Sequence, residues 1–105
     1  MQVRPCDTEP TRAAVDALPG ATVLEFGAES CGWCRAAQPL IATAFADHAS
    51  LRHLKIEDGR GRPLGRSFGV KLWPTLIFLH DGAERSRCVR PASAEPIETA
   101  LKRIV

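Results

Sequence analysis

A length of 105 residues suits one domain, 1–105, and an apolar share of 45% is enough for one hydrophobic core without covalent staples. With 14 basic against 12 acidic side chains, the net charge of +2 provides neither the basic field of a nucleic-acid binder nor an acidic tail. No stretch approaches the ~18 apolar residues of a membrane span, and Met1 to Pro10 holds no apolar core of signal-peptide length, so the expected setting is the cytoplasm.

In chain order, Thr11, Ala14, Val15 and Leu18 fall at helical spacing. Asp7 and Thr8 are candidate caps before them, and Pro19-Gly20 is the stop. An extra strand is possible near Val3. Thr22 to Phe26 is a short apolar run of strand formers that carries one acid, Glu25, and stops at Gly27. From Cys34, the residues Ala37, Ile41, Ala44, Phe45 and His48 share one helical stripe that keeps its phase across Pro39, which predicts a kinked helix. Leu51 to Glu57 alternates, with Leu54 and Ile56 opposite His53, Lys55 and Glu57, and predicts a half-covered strand.

A glycine-rich basic loop, Gly59 to Gly65, leads into a short helix over Pro63 to Phe68 that Gly69 ends. Thr75 to Leu79 is the most hydrophobic run; Asp81-Gly82 then signals a hairpin turn into a polar strand, Ala83 to Val89. Ser93 can cap a last helix with Pro96 in its first turn and Ile97, Ala100, Leu101 and Ile104 on its apolar face. Alternating elements followed by a hairpin predict an α/β fold: a central mixed β-sheet with helices on both faces.

Four cysteines are too few for a disulfide scaffold; Cys31 and Cys34 are close, whereas Cys6 and Cys88 stand apart. Two cysteines separated by two residues can close a disulfide or bind a metal, and the spacing alone does not choose. Their place does more. They follow a strand and start a helix, where open N–H groups and the helix dipole favour a thiolate. Cys31, nearer the loop, is the candidate nucleophile, and Cys34, one turn deeper, the resolving thiol. Glu25 is the candidate proton acceptor, because burial in a sheet raises a carboxyl pKa toward a useful range. The alternative is a Glu25 that is half exposed or bonded to a neighbour.

The segment Leu24-Glu-Phe-Gly-Ala-Glu-Ser-Cys-Gly-Trp-Cys-Arg-Ala-Ala-Gln-Pro-Leu-Ile41 resembles the active-site segment of thioredoxins. Val70 to Leu79, with Trp73-Pro74-Thr75, resembles the family's cis-proline strand, and Asp81-Gly82 its hairpin turn. The resemblance covers nearly the whole chain and implies the thioredoxin fold and thiol–disulfide oxidoreductase activity. It also implies a cis Pro74 against the cysteine pair and a client segment that pairs with the backbone at Trp73 and Thr75. Arg35 and Pro39 match family positions as well.

Several residues depart from the family pattern. Gly32-Trp33 stands where thioredoxins have Gly-Pro, Glu25 where they have an aspartate, Ser30 where they have a tryptophan, and Trp73 where an aliphatic usually precedes the proline. Arg90 falls near a glycine of the substrate-facing loop. Family potentials run from about −270 mV for thioredoxin to about −120 mV for strong oxidants, and the lost proline points to a value above thioredoxin's.

The expected activity is reduction of disulfides in client proteins by a monomer that needs no bound cofactor and takes electrons from a reductase or small thiol. The expected binding residues are Gly32, Trp33, Trp73, Pro74 and Thr75. Trp33 and Trp73 are read as contacts for partners rather than core. A competing reading is a non-catalytic module that docks a partner or senses redox state; another is a metal or iron–sulfur carrier. His48, His53 and His80 lack ligand spacing, and Arg60, Arg62 and Arg66 lack a phosphate-loop lysine or interleaved aromatics.

Overall fold

The computed structural model describes residues 9–105. The expected strand near Val3 and the caps Asp7 and Thr8 lie outside them. Helix α1 (Arg12–Asp16) instead starts at Thr11, whose hydroxyl accepts from the Ala14 N–H at 3.0 Å and satisfies a donor that a helix start leaves open. A residue read as part of the apolar stripe is therefore the cap.

The elements that follow are β1 (Ala21–Gly27), α2 (Gly32–Phe45), β2 (Arg52–Glu57), α3 (Pro63–Ser67), β3 (Thr75–His80), β4 (Ala83–Val89) and α4 (Glu95–Leu101). The strands form one sheet in the order β2-β1-β3-β4. β1 runs parallel to β2 and antiparallel to β3, and β3 pairs antiparallel with β4. This is the mixed sheet expected from the order of elements. At the β3–β4 turn Asp81 and Gly82 have φ of 50° and 80°, the two positive values that let a tight turn follow the twist of its strands.

Alternation along β1 divides the core. Val23 packs with Ala37, Ile41, Ala44 and Phe45 of α2 and Ile97, Ala100 and Leu101 of α4 on one face. Leu24 and Phe26 pack on the other with Val15 of α1, Leu64 of α3 and Phe68. Phe26 and Phe78 are fully buried, each contributing about 1.5–3 kcal/mol of transfer free energy. Glu25 shares the Val23 face and is thereby placed under α2.

Three local expectations are corrected. On the polar face of β2, His53 is buried as deeply as Leu54, because α2 and its Phe45 cover it, while Lys55 and Glu57 stay partly exposed as expected. α2 runs through Pro39 but ends at Phe45, so His48 sits in the following turn, where its N–H donates to the Phe45 carbonyl at 2.9 Å. At α4 the cap position is Ala94, with no side-chain cap bond, rather than Ser93; Glu95 and Glu98 in the first turn complement the helix dipole instead.

Candidate active site

Cys31 is the cap residue of α2. Its backbone is extended, and its Sγ accepts from the Cys34 N–H at 3.1 Å, where a serine or aspartate oxygen would ordinarily sit. Its thiol also points to the Trp73 carbonyl at 3.9 Å. Burial would push the Cys31 thiol up. The Cys34 thiol, the N–H groups of Cys34 and Trp33 and the charge of Arg90 outweigh it, so the pKa lies below the ordinary thiol value.

Cys34 is the opposite case. It is buried, and desolvation, followed by the Cys31 thiol and the Glu25 charge, raises its pKa to about 11. Close approach makes room for it: a Cβ on Gly27 would stand 2.7 Å from Cys34 Sγ, so a side chain there would displace the sulfur.

Behind the pair lies a buried polar cluster. Glu25 Oε1 is 2.7 Å from His53 Nε2, and both side chains are only 4% exposed. Gln38 ties the cluster to the helix, its amide nitrogen donating to Glu25 Oε2 at 2.9 Å and to the Cys34 carbonyl at 3.0 Å. Lys55 donates to Gln38 Oε1 at 3.1 Å and lies 3.9 Å from Glu25 Oε2. Burial alone would raise the Glu25 pKa as the sequence suggested. The bonds from His53 and Gln38 and the charge of Lys55 reverse that, and the carboxyl lies below its ordinary value.

The third wall precedes β3. The Trp73–Pro74 peptide bond is cis, and Pro74 and Thr75 are buried. The Thr75 hydroxyl donates to the Leu72 carbonyl at 2.6 Å and the Trp73 indole N–H to Asp58 Oδ2 at 2.9 Å. Arg90 closes the arrangement, with Nε donating to the Trp73 carbonyl at 2.8 Å and its guanidinium over the Trp33 ring. Trp33 is 59% exposed, and Gly32 beside it is exposed too. A low-pKa thiol at a helix start, with a second thiol one turn deeper and a buried carboxylate behind, can exchange disulfides.

The sequence model of the thioredoxin family matches residues 5–103. The chain belongs to the thioredoxin family. Thioredoxin 2 from Pseudomonas aeruginosa PAO1, in its reduced form, is 53% identical, with a TM-score of 0.84 over 97% of this chain and 94% of that one. The thioredoxin NaTrxh from Nicotiana alata has a TM-score of 0.73 at 27% identity, covering 90% and 82% of the two chains. A thioredoxin from Chlamydia muridarum is 37% identical over 71 residues, 67% of this chain and 69% of that protein. The fold is the thioredoxin fold, and the protein is a thiol–disulfide oxidoreductase.

Against the thioredoxin pattern, reading the sequence brought Cys31, Cys34, Glu25, Trp73 and Pro74 to one place and missed Gly27, Gln38, His53 and Lys55. Parity carried a usable signal for His53: once β2 pairs in parallel with β1 so that Val23 faces His53, the imidazole falls on the same face as Glu25. Nothing in the local sequence marks Gln38, whose role depends on where α2 crosses the sheet. Cys88 is half-buried with its thiol 3.4 Å from the Pro96 carbonyl, and Cys6 lies outside the described residues. Among the described residues, no group of three or more histidine, cysteine or acidic side chains is arranged to hold a metal ion.

Proposed function

We propose that Cys31 is the nucleophile and Cys34 the resolving thiol of a dithiol–disulfide exchange that reduces disulfides in client proteins. The contrast between the two sulfurs supports this most directly: one is accessible and acidified, the other buried with a pKa of about 11. The Cys31 thiolate attacks one client sulfur; the client S–S bond breaks, and its other sulfur leaves as a thiolate that takes a proton. Cys34 then loses its proton and attacks Cys31 Sγ, which releases the second client thiolate. The client gains two electrons and two protons, and the enzyme is left with a Cys31–Cys34 disulfide. A reductase or a small thiol returns the electrons, with no bound cofactor.

Glu25 is assigned as proton acceptor for Cys34. In the free enzyme the gap between the two groups is wide. Once Cys31 is in a mixed disulfide, its thiol and charge no longer hold the Cys34 pKa up, and the gap narrows. The client segment is assigned to the edge formed by Gly32, Trp33, Trp73, Pro74 and Thr75, with exposed Leu72 adding apolar surface. A monomer suffices, since both thiols and this edge come from one chain. The cytoplasm is the proposed setting, in keeping with one close cysteine pair and otherwise isolated thiols.

Insulin reduction, coupled in turn to an NADPH-linked reductase and to glutathione, tests the activity and the electron source together. Cys31→Ser should bring turnover to background, and Cys34→Ser should accumulate a mixed disulfide with the client. Full turnover by Cys31→Ser would overturn the assignment, and an inactive wild type would favour the docking or sensing module instead.

A further inference from the structure

Arg90 holds a backbone conformation that side chains rarely adopt, with φ of 49°. Such a residue persists where its surroundings fix it, and three contacts do so here. Its N–H donates to the Pro74 carbonyl at 3.0 Å, its Nε to the Trp73 carbonyl at 2.8 Å, and its guanidinium carbon lies 4.7 Å from the centre of the Trp33 ring. All three partners belong to the active-site wall, and none carries a charge.

Among the described residues Arg90 forms no ion pair, and its terminal nitrogens donate to no protein acceptor. Asp58 does not serve, because it is held at the indole end of Trp73 while Arg90 sits on the carbonyl. Arg35, the other cation beside the motif, is turned to the Glu29 carbonyl. The groove therefore presents a fixed, half-buried guanidinium with two open donor groups, a shape that matches a carboxylate.

Resting on the reading of this site as a disulfide reductase, we infer that Arg90 selects client disulfides that carry an acidic side chain beside the attacked cysteine. A client strand laid along Trp73 to Thr75, with its sulfur at Cys31, runs beside the Trp33–Arg90 pair. A neighbouring glutamate or aspartate then reaches the terminal nitrogens while Nε keeps its bond to Trp73. A lysine there meets like charge.

The test uses three disulfide peptides that differ only in Glu, Gln or Lys next to one cysteine, with kcat/KM measured at low and high salt. The wild type should reduce the Glu peptide about tenfold faster than the Gln peptide at low salt, and the Lys peptide more slowly than either. The Glu-to-Gln ratio should shrink with salt and approach one in both Arg90→Gln and Arg90→Gly, the latter a residue that suits the positive φ. Equal rates for the three peptides with the wild type, or a ratio that survives in both variants, would overturn the inference. Uniform slowing of all three peptides by the variants would also overturn it, leaving Arg90 as a stabiliser of the Cys31 thiolate alone. Failure of the wild type to reduce any peptide would reject the reductase reading itself.

Discussion

At Glu25, desolvation argues for a proton on the carboxyl, while the bonds from His53 and Gln38 and the charge of Lys55 argue against one and prevail. Because the folded-state pKa is below the ordinary value of 4.5, Glu25 contributes stability that is fully present above that pH and is lost as pH falls through the lowered folded value. Glu25→Gln should therefore be less stable than the wild type by about 1–3 kcal/mol at neutral pH, with the difference narrowing below pH 4.5. Urea midpoints between pH 7 and pH 3 check this, and a difference that stays constant over the range would count against it. Of the two readings the sequence left open, a Glu25 bonded to its neighbours is the one found, and the raised pKa is not, because the partners come from β2 and α2 rather than from its own strand. Cys31 was easier to read: a cap at a helix start is a local feature, written in adjacent residues.

Among the elements, the β3–β4 hairpin and α1 meet where Val15 packs with Ile77 and Leu79 and where the turn comes close to the end of the helix. Gly82 lies at a φ of 80°, and a Cβ there would overlap the Asp16 carbonyl at the end of α1. Gly20, at a φ of 72°, has open space around it. Gly20→Ala should then cost only the backbone term, about 1 kcal/mol, whereas Gly82→Ala adds an overlap with rigid backbone and should cost about 1–3 kcal/mol more. Equal losses in denaturation midpoint for the two variants would show that the hairpin can lift off α1 freely. Element identity was legible where an apolar run or a turn signal marked it, as in β1, β3 and β4. Ends were less so: Ser93 has the chemistry of a cap, but the chain turns into α4 one residue later, and Thr11 was masked by its place in an apolar stripe. The burial of His53 was illegible from the alternation of β2, since a polar residue covered by a helix reads the same as one covered by water.

For the molecule as a whole, the redox centre is assembled from segments distant in sequence: the start of α2, the middle of β1, β2 and the turn before β3. The two motifs that frame it were readable because each is compact; the polar cluster between them was not, because it depends on strand register. Gly32-Trp33 lacks the proline that restrains the helix start in thioredoxins, so a redox titration against glutathione is expected to place the Cys31–Cys34 couple above about −270 mV. A value at or below that would mean that the residues around the pair, not those within it, set the potential.

The placement of β1 between β2 and β3 has a consequence for wear. Of the two outer strands, β4 carries the half-buried thiol of Cys88, and β2 carries His53 and Lys55 of the buried cluster. The backbone of Glu25 is hydrogen-bonded along both sides, but its carboxylate is covered by α2 and by partners on the edge strand β2. Breathing at the β4 margin therefore leaves the cluster covered, whereas breathing at the β2 margin loosens the partners of Glu25.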